Sequence, residues 1–329
     1  MAVDVIVVDS HLEFDHPEFD DRAQKFNWLK YSKKLGYETP EEYVYENIKP
    51  FKGKFGAHGT SMASIIGGNT LGIAPNVNIF NIHYNYDWYL KWKYRFYDYI
   101  IEFAKERKNP TICNISVVWK YTKVKLERFT SYTYRGETIS LENLSNTEKK
   151  NALIGVIPEE NFDGDDFLKN LPIWDEKMDK CIKKLIDNGI IVVGSSMNGS
   201  LKVDVPGGID YDNCLSRYPF GNIYLNRGAN PGCSDGIICV SSLHRGGNGP
   251  RIDYFEDGSD TLTAVKYRSV GGALKDFRYD NHEVAYSEGT SVAAAKITGR
   301  LALELEKNPN MTQEEARTIL NKNKNVDNI

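Results

Sequence analysis

Two stretches of this chain place Gly-Thr-Ser before small residues: Gly59-Thr60-Ser61-Met62-Ala63 and Gly289-Thr290-Ser291-Val292-Ala293. A serine hydroxyl is too weak an acid to attack an amide at neutral pH. It needs a base that takes its proton and later delivers it to the leaving amine. His58, next to the first stretch, can be that base, and Asp9, next to the apolar run Val3–Val8, can orient the imidazole and stabilise its charged form. Asp, His, Ser is one of the chain orders in which such a set occurs. No other histidine lies between Asp9 and a candidate serine in comparable surroundings. Ser61 follows His58 by three residues along the same helical stretch, whereas Ser291 comes from a distant segment and opens a helix of its own. A helix N-terminus offers a backbone N–H and a positive dipole end to a developing oxyanion, so Ser291 is the expected nucleophile. Asn198, in Ser195-Ser196-Met197-Asn198-Gly199, is the expected second donor.

Those residues must be held by an ordered scaffold. The runs Val3–Val8, Val77–Ile82, Thr111–Val118, Gly189–Gly194 and Gly236–Ser241 read as buried strands of a parallel sheet. Helical patterns at Tyr94–Lys108, Trp174–Asn188, Ser291–Lys307 and Met311–Leu320 lie between or after them, the last with Thr312 and Glu315 as a capping box. Strands alternating with helices predict an α/β fold, and in such sheets the chemistry lies past the strands' carboxyl ends. Asp9 and Asn198 both occupy that position. The polar stretch 120–171 breaks the rhythm and is expected to be an inserted hairpin or lid. The stretch 202–234, rich in Gly, Asn and Asp, reads as irregular surface. With no repeats and no low-complexity linker, residues 1–329 read as one domain carrying that insertion.

At this point the chain resembles the subtilisin-like serine peptidases. The resemblance rests on Val7-Val8-Asp9-Ser10 with His16-Pro17-Glu18-Phe19, His58-Gly59-Thr60, Gly72-Ile73-Ala74-Pro75, Asn114-Ile115-Ser116, Asn198-Gly199 and Gly289-Thr290-Ser291. Each motif is weak alone; together, in the family's order and spread over nearly the whole chain, they are specific. The resemblance implies a three-layer fold with helices on both faces of a mostly parallel sheet. It implies an endopeptidase with Asp9, His58 and Ser291 as triad and Asn198 in the oxyanion hole. It also implies that Asn114, Ser116, Val117 and Val118 belong to the strand on which an extended polypeptide substrate adds.

The chain departs from the family at three places. His11 stands where a glycine is usual, and Ala295 where a proline is usual. Val118 and Trp119 stand where two glycines are usual, bulk that should reshape the cleft walls and narrow specificity, as in a processing enzyme. The alternative is a catalytically silent relative that binds peptides or partners within a larger assembly, with 120–171 as docking surface.

Net charge is −4, from 41 basic and 45 acidic residues, which argues against a nucleic-acid-binding face. The run Tyr84–Tyr99 is therefore read as flanking the substrate cleft and not as a base-stacking patch. There is no apolar run long enough to span a membrane. The five cysteines, Cys113, Cys181, Cys214, Cys233 and Cys239, fit no zinc spacing and read as reduced thiols, with a Cys214–Cys233 disulfide as the alternative. The start lacks a basic n-region, so a cytoplasmic enzyme is expected, against a secreted one whose signal and propeptide are gone. No cofactor is expected. The turn Asn161–Asp166 lacks the ligand pattern of a calcium loop and reads as a solvated acidic turn, while family resemblance leaves room for structural calcium elsewhere. His11, His16, His83, His244 and His282 read as structural or exposed.

Overall fold

The apolar runs form strands, each displaced slightly from its expected bounds. In the computed structural model, which describes residues 2–37, 58–83, 93–265, 274–275 and 283–323, the central sheet contains β1 (Asp4–Asp9), β2 (Ala23–Lys25), β3 (Asn78–His83), β4 (Thr111–Ile115), β5 (Ile191–Ser195), β6 (Ile238–Ser242) and β7 (Tyr254–Glu256). Their order is β7-β6-β5-β4-β1-β3-β2, and every pairing is parallel.

Alternate strand residues feed two cores, as the two-residue strand period requires. Val5, Val7, Ile112, Val193 and Val240 face one side, against α2 (His58–Gly67), α6 (Thr290–Lys307) and α7 (Gln313–Asn323). Ile6, Val8, Cys113, Ile115 and Val192 face the other, against α1 (Trp28–Lys34), α3 (Arg95–Arg107) and α5 (Glu176–Asp187). This is the expected α/β fold, with helices on both faces. The capping box at α7 is present: Thr312 N donates to Glu315 Oε2 at 2.7 Å, and Glu315 N to Thr312 Oγ1 at 3.2 Å.

Residues 120–172 build short strands and one helix, α4 (Asn146–Leu153), around Leu126, Phe129, Leu153 and Leu168. That small core also takes Leu215, Ile223 and Leu225. The stretch 202–234 is thus not simply irregular. Cys214–Arg217 and Gly221–Tyr224 form a hairpin that pairs with Phe129–Tyr134. Each of its strands has a single deeply buried aliphatic residue, too few to show a period. The acidic turn is neutralised by the insertion's own lysines: Lys123 meets Asp163 at 2.7 Å and Lys150 meets Asp165 at 2.6 Å.

Of the aromatic run, residues 84–92 lie outside the described residues. Phe96, Tyr97 and Tyr99 are buried core residues of α3 and do not flank a cleft. Cys214 and Cys233 carry no disulfide; all five cysteines are free thiols. No helix among the described residues is long and apolar enough to cross a membrane.

Candidate active site

β1 delivers Asp9 to the sheet's carboxyl edge, where its side chain is 1% exposed. Its Oδ1 accepts from the Ser10 backbone N–H at 2.6 Å and lies 2.7 Å from His58 Nδ1. That contact sets the imidazole orientation and leaves Nε2 as the ring nitrogen that can accept a proton. Three further ties seat α2 on the loop leaving β1. Gly59 N donates to Ser10 Oγ at 2.9 Å, and Glu13 N donates to Thr60 Oγ1 at 3.0 Å. The third is steric: a Cβ on Gly59 would stand 2.3 Å from the Ser10 carbonyl oxygen, so only glycine lets the two backbones approach this closely.

The His58 pKa is raised. Burial, the largest influence, opposes the charged form, but the charge of Asp9 and its hydrogen bond together outweigh it. His83 pairs with Asp9 in the sheet register and behaves oppositely. Burial and the neighbouring His11 lower it to about 4, despite Asp9.

Ser291 is the second residue of α6, so its N–H has no intrahelical carbonyl to serve. Its Oγ donates to the Ser116 carbonyl at 3.2 Å. Asn198 stands just past β5, and its Oδ1 accepts from Thr290 N at 3.0 Å and Thr290 Oγ1 at 2.9 Å. The one proton of the Thr290 hydroxyl is shared between Asn198 Oδ1 and the Ser196 carbonyl. With Oδ1 committed to the Thr290 backbone N–H, the amide cannot be reversed without setting N–H against N–H. Nδ2 is therefore the free donor. Gly289 makes this possible: its φ is 118°, and a Cβ there would lie 3.0 Å from the Asn198 amide.

The candidate substrate strand divides by role. Asn114 is fully buried; its Nδ2 donates to Thr298 Oγ1 at 2.9 Å and its Oδ1 accepts from Ser116 Oγ at 2.9 Å. Its backbone pairs on both sides, opposite Val7 and Val193. Asn114 therefore positions α6 against β4 and presents nothing to a ligand. Strand β4 ends at Ile115, short of the expected Val118, because the chain turns out of the sheet there. Val117 and Val118 are half-buried at that edge. Trp119, by contrast, is 6% exposed, with Lys93 Nζ 3.9 Å above its ring, whereas Val118 packs on Met197, Leu201 and Ala229. Among the described residues no three His, Cys, Asp or Glu side chains gather as a metal site.

A carboxylate-oriented imidazole, a serine at a helix start and a fixed side-chain amide converge on one sheet edge. The family model described as the subtilase family matches residues 2–328. The chain belongs to the subtilase family. As a subtilase it is a serine peptidase, acting on polypeptide. Among solved structures it is similar to a cold-adapted subtilisin-like serine proteinase, at 16% identity and a TM-score of 0.57, covering 97% of this chain and 81% of that one. It also matches the prenylagaramide maturation protease PagA, at 16% identity and a TM-score of 0.49, with the same coverage. The first likeness shows the fold. No curated protein matches the chain.

Sequence reasoning missed two parts of this subtilase site. Thr290 locks Asn198, and Met197 packs beside it. Their only sequence signal is adjacency to Ser291 and Asn198.

Proposed function

We propose that this subtilase is an endopeptidase of restricted specificity, using Asp9, His58 and Ser291 as its catalytic triad. In this reading His58 Nε2 takes the Ser291 proton as Oγ attacks the scissile carbonyl. Asp9 stabilises the resulting imidazolium, and His58 passes the proton to the leaving amine. The Ser291 N–H and Asn198 Nδ2 receive the oxyanion. An extended peptide would lie along the edge at Ser116–Val118, consistent with a processing protease that reads backbone as well as side chains.

The observation that carries this reading is the locked Asn198 amide. A residue serving only as a helix cap could be Asp, Ser or Thr just as well; an amide both caps and donates. The competing reading, a silent relative, draws on the Ser291 hydroxyl being bonded to Ser116 rather than to His58. An alkyl fluorophosphonate separates the two. The wild type should label covalently and Ser291→Ala should not; absence of labelling on folded wild type would sink the peptidase mechanism.

A further inference from the structure

The position of the scissile carbonyl is constrained from three sides. Its carbon must come within about 3 Å of Ser291 Oγ, and its oxygen within about 3 Å of Asn198 Nδ2 and the Ser291 N–H. Ser291 Oγ is itself tied to the Ser116 carbonyl. The residue bearing the scissile carbonyl is thereby held between the Ser116–Val118 edge and the Met197–Gly199 turn, and its side chain must enter the space between them.

That space is filled. Met197, Leu201 and Ala229 are 7%, 5% and 1% exposed and form one apolar cluster, with half-buried Val118 packed on it. The Met197 methyl, Cε, lies 3.9 Å from where a Cβ on Gly199 would stand, so the thioether curls beneath the residue that follows Asn198. Behind the cluster lies a hollow of about 10 Å³, lined by Met197, Gly199, Leu201, Gly228 and Ala229, among others, but by no residue of the Ser116–Val118 edge. Such a volume holds about one water-sized sphere, so Met197 has little room to retreat into and make way for a branched or aromatic side chain.

We infer that Met197 is a specificity-determining residue, and that the protein cleaves after small residues: glycine, alanine or serine. This rests on the peptidase reading of Ser291 and Asn198 and names the substrate class that the site accepts. The selection is steric. Larger side chains would have to displace Met197 from a packed cluster, whereas small ones need no rearrangement. Methionine is unbranched and adaptable, so the exclusion is graded and not absolute.

The test uses the full chain on a proteome-derived peptide pool, then on matched peptides differing only in the residue before the cut: Gly, Ala, Leu or Phe. Wild type should favour Gly and Ala, and Met197→Ala should raise the Phe-to-Ala ratio of kcat/KM at least tenfold, within the range that pocket-volume changes produce. Leu201→Ala, which empties the same cluster from behind, should shift the ratio in the same direction and guards against a poorly folded Met197→Ala. Fluorophosphonate labelling is run on all three proteins. Labelled wild type that cuts equally well after Phe or Leu overturns this inference alone, as does an unchanged ratio in both labelled variants. Folded wild type that neither labels nor cuts overturns the peptidase reading, and this one with it.

Discussion

Asn198 Oδ1 accepts the Thr290 backbone N–H at 3.0 Å, so a side chain 92 residues away caps the helix that carries Ser291. In the proposed mechanism one amide has two separable duties: its oxygen holds the helix start, and its nitrogen receives an oxyanion. Asn198→Asp keeps the acceptor and loses the donor. Its stability should stay near wild type, because a carboxylate is a good cap. Its turnover should fall at least as far as the 10²–10³-fold known from subtilisin itself for loss of one oxyanion donor. Asn198→Ala should show the same loss of turnover together with about 1 kcal/mol of destabilisation. Thermal melts beside kcat on a fluorogenic peptide would separate the two duties. Equal stability losses in both variants would refute the division.

The two Gly-Thr-Ser serines differ just as sharply. The Ser61 hydroxyl is buried and donates to the Ala264 carbonyl at 3.2 Å, tying α2 to the strand Thr261–Val265. Ser61→Ala should cost about 1 kcal/mol of stability and leave most turnover. Ser291→Ala should lose about 10⁴-fold or more; loss of the nucleophile in subtilisin itself is known to cost about 10⁶-fold. Urea denaturation and initial rates on both variants would decide it, and turnover surviving in Ser291→Ala would move the nucleophile elsewhere.

The acid limb of the rate should belong to His58. The imidazole must be neutral to accept a proton, and its pKa is raised, so kcat/KM should fall as pH drops through a midpoint above the ordinary value of about 6.5. Asp9→Asn removes the charge that raises the pKa while the burial that lowers it stays. The midpoint should therefore move down, alongside a loss of about 10⁴-fold in rate. His83 cannot produce this limb, because burial and His11 hold it near 4. A pH–rate profile of both proteins checks the sign; a midpoint that rises in Asp9→Asn would contradict the Asp9–His58 coupling.

What was legible in the sequence had chemical necessity behind it. Short, nearly continuous apolar runs suit strands buried on both faces, so the five main strands and their parallel pairing were readable. Asp9, His58 and Ser291 could be proposed as a set because their chemistry demands those types in a known order. The parts that escaped depend on packing between distant segments. Asn114 reads as part of a substrate-binding strand until Thr298, 184 residues on, is seen taking its amide. Met197 looks like any strand-end residue until Leu201 and Ala229 close around it. Phe96, Tyr97 and Tyr99 looked available for ligands because aromatic composition alone does not say which way a helix faces.

Gly59 carries the last prediction. Adding one methyl at this position places a carbon 2.3 Å from the Ser10 carbonyl oxygen and 2.8 Å from that of His11. Both obstacles are backbone, on the loop that leaves β1 directly after Asp9, and cannot swing aside as a flexible side chain would. Relief requires α2 to lift away from β1, which stretches the 2.7 Å His58–Asp9 contact and the 2.9 Å Gly59–Ser10 hydrogen bond together. Gly59→Ala should lose at least 1–3 kcal/mol, the usual cost of overpacking. Turnover should fall along with stability, and the pH–rate midpoint should move down toward that of Asp9→Asn as the carboxylate's hold on His58 weakens. Measuring the midpoint separates displacement of the imidazole from simple loss of folded protein. An unchanged midpoint in a destabilised Gly59→Ala would show that the Asp9–His58 contact survives the clash.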